Sequence, residues 1–226
     1  TITDDDAKYN HEGAIRLITR LIFVWFLKQR GLIPWQFFDE DYIRENLLDN
    51  FNPNAKVDLF YKAVDSKYYK AILQNLFFAM LNCPICKEGS KEINQRRFSK
   101  ADPSDRDNNK LMRYKSLFKN PDLFLQLANQ RVPFLNGGLF DCLDDKKHKL
   151  YYDGFSDSNE SQKQLRVPDY LFFGENVGKN IDLSEFYGDT NKKKVSARGI
   201  IDILKRYNFT VEENMPFDKD VSLDPE

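Results

Sequence analysis

Histidine and cysteine are scarce in this chain, and the scarcity narrows its chemistry. Two histidines, His11 and His148, stand far apart in sequence, too few for most hydrolytic metal sites. Three cysteines without a secretory signal make an odd count, which argues against a disulfide framework and for a reducing cytoplasm. No glycine-rich turn joins a strand to a helix, so nothing here is built to cradle a nucleotide or a methyl donor, and no Walker sequence appears. The longest apolar run, Leu21 to Leu27, is far too short to span a bilayer. No repeat of solenoid period is visible. Net charge is −1 and the sequence pI is near 6.2, which gives no general pull toward nucleic acid or membrane.

What is present is an ordinary globular composition, 41% hydrophobic and 31% charged, in 226 residues. That length suits one large domain or two small ones with a proper core. The near-neutral total hides strong local imbalance. Residues 87–119 carry ten Lys/Arg against five Asp/Glu, and residues 191–206 carry six against one. Residues 211–226 reverse the sign, with one lysine against six acids.

Helical periodicity dominates the first half. Ala14, Leu17, Ile18, Leu21, Ile22, Trp25 and Phe26 recur at spacings of three and four, which predicts a helix over 11–30 with Gly31 as its stop. A second helix is expected at 39–49 behind the cap Asp39, and others at 56–64 and 67–81. The last of these presents Tyr69, Ile72, Leu73, Leu76, Phe77 and Met80 as a core face. Residues 87–110 read as a basic surface segment, and Asn120-Pro121 starts a helix running to Gln130. Beyond 131 the pattern loosens into loops, with a strand at Lys149–Tyr152, a short helix near 168–173 and a last helix opened by Ser196. The fold class expected is mainly α, an irregular multi-helix domain with long loops and at most minor β structure. Residues 1–130 form a helical subdomain, and 131–226 a loop-rich segment with a C-terminal helix.

Four patterns could carry chemistry. Cys83-Pro84-Ile85-Cys86 is half a zinc knuckle, which Cys142 and His148 could complete as Cys₃His; the plainer reading is a helix end with two ordinary thiols. Pro121-Asp122 followed by Asp145-Lys146-Lys147 satisfies a nuclease spacing in which Asp122 and Asp145 would hold a divalent metal beside Lys147. That chemistry needs adjacent strands, whereas Asp122 falls in a helix start, so chance is the better account. Asn136-Gly137-Gly138, flanked by Phe134, Leu135, Leu139 and Phe140, reads as a packed turn with positive φ; a backbone-amide anion site is the alternative. The basic residues Arg96, Arg97, Lys192, Lys193, Lys194 and Arg198 are candidates for phosphate-backbone contacts, or else solvated surface.

Three segments bear a family likeness: ITRLIFVWFLKQRGLI (Ile18 to Ile33), RVPFLNGGLFDCLDD (Arg131 to Asp145) and ARGIIDILKRYNFTVEENMPFDKDVSLDPE (Ala197 to Glu226). In this order the chain resembles the region upstream of the methyltransferase domain in single-chain type IIG and IIL restriction-modification enzymes and related phage-defence adenine-specific methylases. The resemblance implies a parent with a Mg-dependent nuclease domain, this connector, an S-adenosylmethionine-dependent methylase that flips adenine from the duplex, and a DNA-recognition domain. The methyl-donor loop and the Asn-Pro-Pro-Tyr/Phe motif of such methylases do not occur within these 226 residues, so no catalytic residue carries over. The Cys83/Cys86 pair lies outside the family pattern. The closing Asp224-Pro225-Glu226 reads as a helix start, which suits a junction to a following domain.

The expectation is a non-catalytic, cytoplasmic connector that holds no cofactor itself, with DNA and the flanking nuclease and methylase domains as partners and no membrane. The alternatives are a fragment with Mg-dependent nuclease activity through Asp122, Asp145 and Lys147, and a zinc-binding interaction module.

Overall fold

The first helix, α1 (Asp4–Gln29), runs 26 residues and stops where the sequence says it should. Gly31 takes φ +73, its N–H donates to the Lys28 carbonyl at 2.9 Å, and the Leu32 N–H reaches Leu27 at 2.9 Å. That pair of reversed bonds is the glycine-dependent closure that satisfies the last helical carbonyls. The computed structural model describes residues 4–53, 66–83, 87–88, 91–92, 112–135, 137–145, 148, 152–155, 167–174, 181–182 and 196–206. The helix expected over 56–64, most of the strand expected at Lys149–Tyr152, and the acidic stretch 211–226 lie outside these residues.

The chain divides into two compact units, the first comprising Thr1–Phe51 with Ser66–Arg166 and the second Asn52–Asp65 with Val167–Glu226. The sequence-based division at 130/131 falls inside the first. The described residues are mainly helical, with strands only two residues long. No helix among them is long and apolar enough to cross a membrane.

In the first unit α1 buries Leu21, Val24, Trp25 and Leu27 together with Arg20. The sequence pattern had also turned Ile18 and Ile22 inward, but they are 46% and 41% exposed. The buried stripe is rotated from the purely apolar one because it must include an arginine whose partners are internal. After the turn, a 3₁₀ segment (Trp35–Phe38) precedes α2 (Glu40–Tyr42), which widens into a π-helical stretch, Ile43–Leu47. Asp39 caps α2 as expected, accepting from the Tyr42 N–H at 2.8 Å. α3 (Pro121–Arg131) begins with Asn120 accepting from the Leu123 N–H at 3.0 Å, with proline in its first turn.

The segment predicted as an α-helix over 67–81 is helical but wider, with π-helical stretches Tyr68–Leu73 and Asn75–Leu81. From Tyr68 through Leu81 only Lys70 escapes full burial. A helix with that much apolar surface all round belongs at the centre of a unit rather than on its face. Its two interior polar residues reach out to loops. Asn75 pairs through both halves of its amide with the Arg113 backbone, at 2.8 and 2.9 Å. Gln74 donates to the Asp153 carbonyl at 2.6 Å. Aromatic rings fill the space between elements: Phe37 stacks on Phe124 at 4.8 Å, Trp25 meets Phe38 edge-on at 5.5 Å, and Phe78 leans on Phe155 at 4.8 Å. A two-residue hairpin, β1 (Lys87–Glu88) with β2 (Lys91–Glu92), opens the basic segment.

The second unit holds a short 3₁₀ helix, Asp169–Leu171, within the short helix expected near 168–173. An antiparallel pair follows, β3 (Ile181–Asp182) with β4 (Ser196–Ala197), and then α4 (Ile200–Arg206). Ser196 therefore opens a strand instead of a helix. Gly199, just before the helix, has φ +118, and an added Cβ would lie 2.7 Å from the Phe172 carbonyl. α4 starts only after that turn, with the Ile201 N–H bonded to the Phe172 carbonyl at 3.1 Å.

Candidate functional site

Charge buried in the first unit is concentrated around one residue, Arg20. Its side chain and that of Asp153 are almost wholly buried, and Nη1 meets Oδ1 at 2.5 Å. Every arm of the guanidinium is engaged. Nε donates to the Leu139 carbonyl at 2.7 Å, and Nη2 to the Asp141 carbonyl at 2.7 Å and to Asp153 Oδ2 at 3.5 Å. Its Cζ lies over the Phe78 ring, 4.9 Å from the centroid. An arginine satisfies such a cage because its donors form a fixed planar fork; lysine offers one point charge.

The acid is held as firmly as the base. Asp153 Oδ2 accepts from the Leu143 N–H at 2.9 Å, and its carbonyl takes Gln74 and, at 3.2 Å, the Tyr69 hydroxyl. Asp144 stands beside it, with Oδ1 accepting from the N–H groups of Asp153 at 2.7 Å and Gly154 at 3.0 Å. Its other oxygen is buried without a hydrogen-bond partner among the described residues. Burial pushes the Asp144 carboxyl above its ordinary range; backbone N–H groups pull it down, and the Asp153 charge adds to the rise. Burial raises the neighbouring Cys142 thiol, and the Asp144 charge raises it further. The Tyr69 phenol is raised by burial first and by Asp153 second.

Cys142, Asp144 and Asp153 bring one ligand-type atom each within 4.8 Å of one another. A thiol and two carboxylates are a donor set that zinc accepts. The charge arrangement favours another role. Both Asp153 oxygens are already bound, to a guanidinium that neutralises the acid and to the Leu143 N–H. The cluster is an internal tie: it fixes Leu139–Asp144 and Asp153–Gly154 against α1 and the central π-helical segment.

Of the residues singled out from sequence, few meet. Cys83 is buried at the end of the π-helical segment, and Cys86 lies outside the described residues. His148 is exposed and bonds Asp145 at 2.7 Å. Among the described residues no ligand group joins Cys83 or His148 to Cys142, so the Cys₃His arrangement is not formed by those three. Asp122 is exposed in the first turn of α3, Asp145 is engaged by His148, and Lys147 lies outside the described residues. Arg96, Arg97, Lys192, Lys193 and Lys194 also lie outside them. Arg198 is exposed, with its backbone N–H donating to Asp202 at 3.0 Å.

The packed glycine turn needs correcting. Asn136 is outside the described residues, but Gly137 has φ −154, is exposed, and an added Cβ would meet nothing within 4 Å. Gly138 opens a 3₁₀ turn, and its nearest neighbour would be the Asp141 carboxylate at 3.7 Å. Neither needs positive φ. The chain reverses here through bonds between backbone groups, Phe140 to Gly137 and Asp141 to Gly138, both at 3.3 Å.

Arg20 and Asp153 were missed in the sequence. The signal was an arginine lying among apolar residues that recur at helical spacing, since a cation on a buried helix face requires an internal acid. No protein-family model, curated protein or solved structure matches this chain.

Proposed function

We propose that this chain is the helical connector of a restriction-modification or phage-defence adenine methylase. It is non-catalytic and holds the nuclease and methylase domains of its parent at a set separation on DNA. One observation carries the reading. Arg20 belongs to the segment Ile18 to Ile33, and the carbonyls it binds, those of Leu139 and Asp141, belong to Arg131 to Asp145. Two of the three segments that resemble the family are thus bonded to each other through a buried cation. A spacer must resist bending, and a buried, fully bonded ion pair is a device for rigidity and register more than for net stability.

In this reading S-adenosylmethionine and Mg belong to the parent. DNA contact by the connector falls to Arg198 and to Arg96, Arg97, Lys192, Lys193 and Lys194. Such contacts position the protein without reading sequence.

The test is transfer of a labelled methyl group from S-adenosylmethionine to adenine in DNA by the full-length gene product. Arg20→Met in that product should lower transfer and any cleavage together. Replacing Lys192, Lys193, Lys194 and Arg198 by Ala should flatten the log–log salt dependence of DNA binding by about 0.9 per lost contact. A parent that methylates no DNA sinks the proposal, and an unchanged salt slope reduces the connector to a pure spacer.

A further inference from the structure

The solvent side of α1 is as apolar as its buried side. Between Arg16 and Lys28 the only charged residue is Arg20, which is turned inward and bonded on every arm. The one side-chain hydroxyl in that stretch, on Thr19, donates to the Ile15 carbonyl at 2.9 Å. What faces water is therefore Ile15, Ile18 and Ile22, which are 56%, 46% and 41% exposed. Half-buried Phe26 continues the line, and Phe23, 37% exposed, stands on its flank. Spacings of three and four set the isoleucines and Phe26 in one ridge along the helix. A helix apolar all round is covered on every side in a finished assembly, and an exposed ridge of this kind marks a surface that meets something.

The ridge is complementary to itself. One end is closed by Glu12, one turn before Ile15, whose side chain is 39% exposed. Arg16 meets that carboxylate only at 3.8 Å and lies over the Tyr152 ring, so Glu12 keeps capacity for a second cation. At the other end Arg30 holds its guanidinium over the Phe26 ring, 5.4 Å from the centroid. Two such ridges laid antiparallel, with the two-fold axis level with Arg20, set Ile18 beside the partner's Ile22 and Ile15 beside the partner's Phe26. The same register brings Glu12 near the partner's Arg30, and the two-fold repeats that contact. A parallel pair would instead set acid against acid and base against base. Isoleucines at alternating steps of three and four are the knobs by which helix pairs interlock, and antiparallel helices also oppose their dipoles. The exposed side chains leave on the order of 300 Å² of apolar surface per copy, against the roughly 800 Å² that each partner gives to a standard lasting interface. That area supports a weak, reversible dimer.

We propose that the chain pairs with a second copy of itself along this ridge, as a weak antiparallel dimer. Ile15, Ile18, Ile22 and Phe26 form its apolar seam, and Glu12 and Arg30 fix its direction. The inference does not rest on the connector reading. Its readout is the mass of this chain alone, so failure here leaves methyl transfer by a parent untouched.

Sedimentation equilibrium of the 226-residue chain, loaded from about 10 µM to about 1 mM, reads the result. The average mass should rise from the 26.7 kDa of one chain toward twice that value, with a Kd on the order of 100 µM. Ile18→Gln together with Ile22→Gln should weaken pairing by about 10-fold or more. Glu12→Arg should weaken it about 5-fold, and Glu12→Arg combined with Arg30→Glu should recover the parent value. A merely adhesive apolar surface would show no such rescue. Circular dichroism checks that the variants fold; if the isoleucine variant does not, the charge reversal and its rescue decide by themselves. A chain that stays at 26.7 kDa up to about 1 mM overturns the proposal and leaves the ridge to a different helix. Association that continues past the dimer also overturns it, as does an isoleucine variant that pairs as well as the parent chain. So does a charge reversal that Arg30→Glu does not rescue.

Discussion

Replacing Arg20 by Met keeps the length and apolar stem of the side chain and deletes the guanidinium. Asp153 is then left as an uncompensated buried charge, and the carbonyls of Leu139 and Asp141 lose their donors. Breaking a buried pair by removing one partner costs about 3–5 kcal/mol. The two orphaned carbonyls could each add about 1–3 kcal/mol, although these terms overlap because the loop relaxes once its anchor is gone. A net loss of about 4 kcal/mol is a large part of the roughly 5–15 kcal/mol that holds an ordinary domain together.

Urea unfolding followed by far-ultraviolet circular dichroism measures the loss. The double-mutant cycle with Asp153→Asn separates its parts. Asn retains an acceptor for the Leu143 N–H and carries no charge, so the double variant should be less destabilised than the sum of the singles, by about 2 kcal/mol. Arg20→Lys should fall between, because an ammonium keeps the charge but cannot reach three acceptors in one plane. If Arg20→Met unfolds within about 0.5 kcal/mol of the parent chain, the tie described above is a bystander.

Gly137→Val should change melting by less than about 0.5 kcal/mol, since that site is open and extended. Gly199→Val should cost about 2–4 kcal/mol from positive φ and collision with the Phe172 carbonyl; equal effects would refute the placement of both. Asn120→Ala should cost about 1 kcal/mol through the lost α3 cap, read by urea unfolding. Asp144 has a folded pKa raised above its unfolded value, so its contribution is fully present below the unfolded value near 3.9 and is lost as pH rises through the folded one. Asp144→Asn keeps an acceptor for the Asp153 and Gly154 N–H groups and removes the titration. Its melting temperature should therefore gain on the parent chain as pH is raised from 3.5 to 7, and parallel curves would contradict the assignment.

Local signals in the sequence were legible where one residue decides the outcome. Asp39 and Asn120 cap the helices they were expected to cap, and Gly31 ends α1, because cap and stop chemistry acts within four or five residues. Periodicity located the segment 67–81 but not its wider winding. The apolar positions there are so continuous that no period is specified, and burial on every side lets tertiary packing choose the pitch. Gly137 and Gly199 show the same limit in reverse. A glycine signals permission for positive φ, not its use. The pair at 137–138 advertised a turn that backbone bonds make without it, while the single glycine before α4 takes the left-handed angle because the Phe172 backbone leaves no room for a Cβ.

The buried tie was least legible because its halves stand 133 residues apart. Arg20 taken alone is a polar interruption of a helix, and Asp153 beside Gly154 is an ordinary turn signal. Only their joint burial gives either a meaning. That separation also sets the physical role of the pair. Closing so long a loop costs entropy that grows only slowly with its length, and one buried, five-bonded contact can hold the closure once the aromatic core has formed. The residues between Leu139 and Gly154 contribute mainly backbone groups to it, which is why side-chain pattern alone did not reveal the segment as part of a core. A substitution at Arg20 should therefore loosen Leu139–Gly154 first and α1 last. In hydrogen exchange, the Leu143, Asp153 and Gly154 amides of Arg20→Met should lose protection well before those of Leu21 and Val24. Uniform loss along α1 would mean that the arginine supports the helix and not the loop.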